Sequence, residues 1–332
     1  MHDYLIPMLE CPACHGRLKW TIEKRNADQV EEAEARCMSC GALYSVNEVI
    51  GVFLTANLQR NDLWEERESG LRAYLHEHPE IEQRLLQAPL GEISPADQFI
   101  RAMILEERHD YQGARMAAGL AHTGFYTKEY RACFKSQIDY LTELVSYRSG
   151  PLIDLASGRC YLAEELAKRT NNSIIATDFS QRVLRRDQSL FAHLGMLEQL
   201  SFISLDARRM PFCDRSVHTM ISNVGLANIE NPQGLLQELR RVIDGEFISI
   251  MCFYPRDDNV NGREIEKLGL SDFVYQDSTL NLFSNAGFEI GLENIQTGIA
   301  KPTPKSELFE EASIDALPIV ETELTWCTLI AH

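Results

Sequence analysis

The chain has 332 residues, 45% of them hydrophobic and 24% charged, a composition typical of a globular protein with one to three domains. No long apolar stretch and no basic segment followed by an apolar core occurs, so we expect neither a membrane span nor a signal peptide, and a cytoplasmic location. The net charge is −17, and the segments 1–60, 61–150 and 151–332 are each acidic in total. This balance argues against a nucleic-acid partner, although a local basic patch could lie within an acidic total.

Four of the nine cysteines form two Cys-x-x-Cys pairs near the start, Cys11 with Cys14 and Cys37 with Cys40. Each pair places two thiolates on one turn, and a hairpin joining the turns would complete a tetrahedral four-sulfur site that suits zinc. Four unrelated free thiols are the alternative, and His15 is a competing ligand. Because a closed four-thiolate site has no open coordination position, we expect the metal to be structural.

The stretches 9–14 and 44–54, with the two cysteine pairs, resemble the Trm112-like zinc-ribbon domains. Such domains bind and steady methyltransferases, so the resemblance implies that residues 1–57 form a zinc ribbon fused to an enzyme. A ribbon also precedes the methyltransferase in the large-subunit rRNA guanine methyltransferases, and this similarity supplies RNA recognition as an alternative. The acidic segment 23–36 is expected to form a solvated hairpin loop.

Residues 58–148 are predicted to be helical, because no strand pattern occurs and apolar residues recur at helical spacing. The predicted helices are two within 61–88 separated at His78-Pro79, one from the Ser94-Pro95 cap to about Ala118, and one from Lys128 to Tyr147.

Two apolar runs, 151–155 and 173–177, flank a turn and a helix at 161–168, the pattern that opens a doubly wound nucleotide-binding fold. Asp178 follows Gly158 at the distance where an acid accepts hydrogen bonds from a ribose. The remaining predicted elements are strands at 201–205, 217–223 and 246–252, a final hairpin of 288–298 with 322–331, and an insertion at 299–321 that includes a short helix at 306–316.

The turn resembles motif I of the class I S-adenosylmethionine-dependent methyltransferases, acid-x-Gly-x-Gly-x-Gly. Asp154 matches the acid and Gly158 the middle glycine, whereas Ala156 and Cys160 replace the outer two. The segment 206–216, Asp-Ala-Arg-Arg-Met-Pro-Phe-Cys-Asp-Arg-Ser, is similar to a further pattern of that family in order and spacing.

The resemblance covers about 150–332 and implies an α/β fold with a doubly wound, Rossmann-like, seven-stranded methyltransferase sheet, preceded by a small zinc ribbon and a helical segment. The implied domains are the ribbon at 1–57, a helical lid or linker at 58–148, and the methyltransferase domain at 149–332.

The resemblance also implies which residues bind S-adenosylmethionine. Asp154 would anchor the methionine end, Asp178 the ribose hydroxyls and Asp206 the adenine amino group. The implied cofactor-binding residues are Asp154, Ala156, Gly158, Cys160, Asp178, Phe179, Asp206, Ala207, Asn223 and Tyr126. Since the sulfonium methyl is already activated, such enzymes often need no strong catalytic residue, and the candidates are Asn223, Tyr126 and His122. A backbone cap for Asn223 and helix packing for Tyr126 are the alternatives.

The two replaced glycines are expected to be compatible with cofactor binding. Ala156 adds only a methyl group, which is tolerated if φ at this position is negative. Cys160 is small enough to fit near the start of the following helix. Gly158 is the position where we expect the backbone to lie against the cofactor.

Three functions remain open at this point. The leading one is methyl transfer to a small-molecule acceptor, the second is methylation of rRNA or tRNA, and the third is a cofactor-binding scaffold without turnover. The candidate basic patch for RNA, whose alternative is a set of exposed helix faces, comprises Arg182, Arg185, Arg186, Arg208 and Arg209. No membrane partner is expected, and a homodimer is left open.

Overall fold

The structure is a computed structural model that describes residues 1–56, 58, 63–309 and 314–332, with the side chains of 63–69 left out. The predicted domain boundary at residue 57 and the middle of the predicted helix at 306–316 therefore lie outside the described residues.

The described residues contain one mixed sheet of eleven strands. The strands are β1 (Leu18–Asn26), β2 (Gln29–Cys37), β3 (Leu43–Asn47), β4 (Ile50–Phe53), β5 (Leu152–Asp154), β6 (Ile174–Asp178), β7 (Leu200–Leu205), β8 (Val217–Asn223), β9 (Ile243–Phe253), β10 (Ile290–Ala300) and β11 (Thr322–Ala331). Their spatial order is β1-β2-β3-β4-β7-β6-β5-β8-β9-β11-β10.

Seven of these strands, β5 to β11, form the predicted methyltransferase sheet, and the predicted fold class is confirmed. Strands β7, β6, β5, β8 and β9 run parallel, and β11 and β10 close the edge as an antiparallel hairpin. The central strands are apolar along their whole length because both faces are buried, as Ile153 and Ile175 illustrate. Their carboxyl ends share one edge, where ligands of such folds bind.

The four N-terminal strands extend this sheet. The sheet therefore has eleven strands, whereas the sequence predicted seven. Strand β4 pairs in parallel with β7, with Ile50 opposite Phe202 and Phe53 opposite Leu205. Both β4 side chains are buried. The pairing covers backbone groups of β7 that would otherwise form an open sheet edge, so the N-terminal unit and the methyltransferase sheet share one sheet.

The prediction of a solvated loop at 23–36 is wrong. Strands β1 and β2 pair antiparallel over almost their full length, and the turn lies at Ala27 and Asp28. Along β2 the side chains of Ala33, Ala35 and Cys37 are buried while the intervening residues face outward. The acidic residues therefore occupy the outer face of a strand with period-two alternation, a pattern that net charge alone conceals.

Eleven α-helices are found in the described residues, most of them flanking the sheet. They are α1 (Leu63–Glu77), α2 (Pro79–Gln87), α3 (Pro95–Glu107), α4 (Tyr111–Phe125), α5 (Lys128–Ser146), α6 (Tyr161–Arg169), α7 (Gln181–His193), α8 (Pro232–Val242), α9 (Asn259–Lys267), α10 (Ser271–Val274) and α11 (Gln276–Asn285). Within the described part of the chain, no helix is both long and apolar enough to span a membrane.

The long helix predicted from Pro95 to about Ala118 is two helices, α3 and α4. The chain turns at His109, whose φ is 59°, and the Asp110 side chain accepts a hydrogen bond from the Gly113 amide to start α4. The start of α3 is as predicted, because the Ser94 hydroxyl accepts from the Asp97 amide. An aspartate N-cap inside a helical pattern was the sequence signal for this break.

The insertion between β10 and β11 packs against α3 without forming a helix at 306–309 or 314–316. The Asp97 carboxylate accepts hydrogen bonds from the Ser306 hydroxyl and from the Glu307 amide, the latter at 3.0 Å. A buried aspartate thus satisfies backbone and side-chain donors that a helix would otherwise pair internally.

Candidate active site

A cavity of about 1680 Å³ lies over the carboxyl ends of the parallel strands, between the sheet and helices α3, α4 and α5. Most of the residues that the sequence assigned to cofactor binding line this cavity. They are Ala156, Gly158, Asp178, Phe179, Asp206, Ala207, Asn223 and Tyr126, and the catalytic candidate His122 joins them. Asp154 and Cys160 lie beneath the cavity wall and are fully or almost fully buried.

Asp178 at the end of β6 holds the turn that follows β5. One carboxylate oxygen accepts a hydrogen bond from the Gly158 amide at 3.1 Å, and the other accepts from the Ser180 amide at 2.9 Å. These two bonds fix the orientation of the carboxylate, which lines the cavity.

Asp154 is a fully buried carboxyl group at the end of β5. Neither of its side-chain oxygens has a hydrogen-bond partner within the described residues. The pKa of Asp154 is raised to about 8, mainly by burial and to a smaller extent by the nearby charge of Asp178. An unpaired buried carboxyl is costly, and a polar group delivered to this turn by a ligand would relieve that cost.

The turn after β5 places three residues in the left-handed region: Ala156 with φ 55°, Gly158 with φ 52° and Cys160 with φ 54°. The condition of a negative φ, under which alanine would be tolerated without strain, is therefore not met at Ala156. The outer two positions keep the backbone conformation that suits glycine although their residues changed. Left-handed backbone costs a non-glycine residue about 1–2 kcal/mol, so the turn stores strain at two positions.

Replacing Ala156 by glycine should raise the free energy of unfolding by about 1 kcal/mol, because glycine removes the left-handed penalty. Denaturant unfolding measures the change. The control is Ala118→Gly in the interior of α4, which should lower stability by about 0.5–1 kcal/mol. If both substitutions changed the free energy of unfolding in the same direction, the assigned strain at Ala156 would be contradicted.

Asp206 is engaged by the neighbouring Arg208. Its carboxylate accepts from the Arg208 amide and Nε at 2.9 Å each and from Nη2 at 2.8 Å. Arg208 also contacts Glu230 at 3.2 Å. An acceptor role of Asp206 toward adenine would therefore be shared with this arginine, which the sequence pattern did not indicate.

An aromatic cluster forms the wall opposite the turn. Tyr126 stacks on Tyr130 at a centroid distance of 4.5 Å, and Tyr130 meets Trp326 edge-on at 5.0 Å. The Tyr126 hydroxyl donates to Asp315 Oδ2 at 2.9 Å. Burial, together with the Asp315 charge, raises the pKa of Tyr126 well above its usual range. Sequence reasoning missed Asp315 and Trp326, because they lie far along the chain in segments without a motif.

The remaining two catalytic candidates also face the cavity. His122 lies edge-on to Tyr126 at 4.9 Å, and burial, followed by the charge of Arg131, lowers its pKa. The Asn223 side-chain oxygen is buried without a hydrogen-bond partner among the described residues, so no side-chain cap by this oxygen is found there.

The four paired cysteines meet in the N-terminal unit. Their sulfur atoms lie within 4.8 Å of one another, with Cys11 and Cys40 3.7 Å apart and Cys14 and Cys37 3.4 Å apart. Tetrahedral zinc at about 2.3 Å from each sulfur needs sulfur–sulfur distances of about 3.8 Å, so the cluster fits such an ion. The competing ligand His15 bonds to Glu10 at 2.7 Å instead.

Three of the five arginines of the candidate basic patch, Arg185, Arg186 and Arg208, face acidic partners. Arg186 contacts Asp187 at 3.1 Å, and Arg185 lies 4.0 Å from Glu48. With Arg208 held by Asp206 and Glu230, these pairs offset the positive charge that phosphate binding requires.

Comparison with known proteins agrees with this geometry. Residues 152–245 match the family model described as a methyltransferase domain. This part of the chain is similar to a methyltransferase domain, and the match lies within the predicted range 149–332. The matched segment runs from β5 to the start of β9 and includes the turn, Asp178 and Asp206.

Two curated proteins that are similar to this part of the chain have names that refer to small-molecule biosynthesis. The ubiquinone/menaquinone biosynthesis C-methyltransferase UbiE of Legionella pneumophila is 28% identical over 106 residues, 31% of this chain and 42% of the relative. The biotin biosynthesis bifunctional protein BioHC of Teredinibacter turnerae is 29% identical over 129 residues, 35% of this chain and 23% of the relative. The chain thus spans less than half the length of these relatives.

Two solved structures are similar at lower identity. The YcgJ protein of Bacillus subtilis has a TM-score of 0.47 and 15% identity, covering 59% of this chain and 97% of its own. The geranyl diphosphate C-methyltransferase of Streptomyces coelicolor has a TM-score of 0.45 and 13% identity, covering 67% of this chain and 84% of its own.

Proposed function

We propose that the protein is an S-adenosylmethionine-dependent methyltransferase that methylates a small molecule inside the cavity. The observation that carries the proposal is the cavity itself, which lies at the carboxyl ends of the strands and is lined by Gly158, Asp178 and Asn223. The match of β5–β9 to a methyltransferase domain and the names of the two biosynthetic relatives support it.

The residues of the turn fit the cofactor. No described atom lies within 4 Å of the position that a Gly158 Cβ would take, so a ligand can approach the backbone there. Asp178 would accept hydrogen bonds from the ribose, and buried Asp154 would support the methionine end through the turn amides or a water. Bound S-adenosylmethionine would supply an activated methyl group, and the aromatic wall with Tyr126 would exclude water and align the acceptor.

We also propose that the four cysteines bind one zinc ion with a structural role. Four thiolates at these distances leave no coordination position for a substrate. The adjoining strands β3 and β4 continue into the methyltransferase sheet, so the metal would stabilise the edge next to β7.

The two alternatives are less well supported. RNA recognition requires a positive face, whereas Arg185, Arg186 and Arg208 pair with acids and the chain carries a net charge of −17. A scaffold without turnover is favoured only by the two replaced glycines, and both positions have a left-handed backbone that suits glycine.

Asp178→Ala tests cofactor binding. A hydrogen bond to a charged group contributes about 1.5–3 kcal/mol, so the affinity for S-adenosylmethionine should fall about tenfold or more. Isothermal titration calorimetry measures it, and Asp277→Ala, which removes an exposed carboxylate paired with Arg256 outside the cavity, is the control. Unchanged affinity in Asp178→Ala would remove Asp178 from the cofactor site.

A further inference from the structure

We infer that the acceptor is an uncharged, largely apolar molecule with one hydroxyl group, held beneath α3 and α4 and oriented by His122. The part of the cavity that would hold it, here called the acceptor chamber, is bordered by α1, α3, α4 and residues 308–309 and 314–315. This inference rests on the proposed function and adds the chemical class of the acceptor.

The cavity is large enough to hold a second ligand of substantial volume beside the cofactor. Sites for a single drug-sized ligand measure roughly 300–1,000 Å³, whereas this cavity measures about 1680 Å³. The groups suited to the cofactor, among them Gly158, Asp178 and Asp206, lie at the sheet end. The acceptor chamber at the helical end therefore remains for the acceptor.

The walls of the acceptor chamber are apolar. Helix α3 presents Phe99, Ile100 and Met103 to the cavity, and Phe99 and Met103 are one helical turn apart. Helix α4 lines the space opposite with small residues, which leaves room for a bulky ligand. The further apolar lining residues are Leu71, Tyr74, Ala114, Ala118, Phe125, Leu308, Phe309 and Ile314.

The charged groups around the acceptor chamber are engaged by neighbouring side chains, and Asp315 accepts the hydrogen bond of the Tyr126 hydroxyl. The Arg159 guanidinium contacts Glu106 at 2.5 Å and lies over the Phe99 ring at 5.3 Å. Arg115 of α4 contacts Glu164 at 2.7 Å. A charged acceptor would need a counter-charge taken from one of these pairs, and burying a charge without a partner is costly. The acceptor body is therefore uncharged.

His122 supplies the polar contact for the hydroxyl. Within the described part of the chain no hydrogen bond involves its ring, which lines the cavity beside Tyr126. Burial, followed by the charge of Arg131, lowers its pKa, so the imidazole is neutral at neutral pH and one ring nitrogen can accept a hydrogen bond. Arg131 is the charged group that acts on this ring, and the carboxylate of nearby Asp315 is engaged by the Tyr126 hydroxyl.

Three naphthalene derivatives test this assignment in the full-length protein saturated with S-adenosylhomocysteine. Naphthol carries the hydroxyl donor, methoxynaphthalene lacks the donor, and naphthoate carries a negative charge. We expect naphthol to bind, methoxynaphthalene to bind several-fold more weakly and naphthoate to bind about tenfold or more weakly than naphthol. Naphthoate binding as tight as naphthol, or failure of all three to bind, would overturn the inference.

Two variants and a matched control locate the binding. Met103→Trp fills the acceptor chamber and should weaken the binding of naphthol about tenfold. The control is Met116→Trp, because Met116 of α4 is 59% exposed and lies outside the cavity lining. This control should leave naphthol binding unchanged. His122→Phe should retain methoxynaphthalene and abolish the preference for naphthol. Equal effects of the two tryptophans, or a preserved preference in His122→Phe, would refute the assignment.

Parallel titration with S-adenosylhomocysteine separates this inference from the proposed function. All three variants should bind S-adenosylhomocysteine as the parent does, because the changed side chains lie at the helical end. A parent protein that fails to bind S-adenosylhomocysteine would refute the proposed function itself. Normal binding of S-adenosylhomocysteine with no discrimination among the naphthalenes would refute the acceptor class alone.

Discussion

Replacing Gly158 by valine is expected to abolish binding of S-adenosylmethionine while the chain still folds. The position has φ 52°, and the space that a Cβ would enter is open and belongs to the cavity. A branched side chain there would occupy the volume where the cofactor must approach the backbone. Calorimetry should detect no binding, and circular dichroism should show the secondary structure of the parent protein.

Gly195→Val is the matched control for the backbone effect. Gly195 also has a left-handed φ, 70°, and no described atom within 4 Å of a built Cβ, but it lies outside the cavity lining. Both substitutions should cost about 1–2 kcal/mol of stability, and only Gly158→Val should lose the cofactor. If Gly158→Val bound S-adenosylmethionine normally, the cofactor would not lie over this turn and the proposed function would fail.

The part of the fold that sequence could predict is the part encoded locally. Buried parallel strands such as β5 and β6 are continuous apolar runs that end in an acid, and the turn between β5 and α6 keeps a glycine. The final hairpin was predicted at 288–298 with 322–331, and the strands lie at Ile290–Ala300 and Thr322–Ala331. In each case the signal lies within a few residues of the feature.

Features that depend on distant parts of the chain could not be predicted. The pairing of β4 with β7 joins residues about 150 positions apart along the chain. The sequence around Ile50 therefore does not indicate which strand it pairs with. Asp315 meets Tyr126 across a separation of 189 residues. The sign of φ at Ala156 was left as a condition for another reason. A residue with a Cβ favours negative φ, and here the surrounding turn imposes a left-handed conformation.

Changing Cys11 and Cys14 together to serine is expected to remove the bound zinc and unfold the N-terminal strands. Structural zinc in small peptides contributes about 10–16 kcal/mol, comparable to the roughly 5–15 kcal/mol of a whole domain. Elemental analysis should find about one zinc per chain in the parent protein and none in the variant. Hydrogen exchange should show loss of protection in β1 to β4.

Loss of the metal should also reach the methyltransferase sheet, because β4 covers the edge of β7 and buried Phe53 belongs to the same apolar core as Leu205. Cys213→Ser is the matched control, since this partly exposed cysteine lies outside the cluster and should leave zinc and protection unchanged. Full zinc retention in the double variant would refute the four-thiolate site. Zinc loss with β1 to β4 still protected would instead show that packing against β7, and not the metal, holds the N-terminal strands in place.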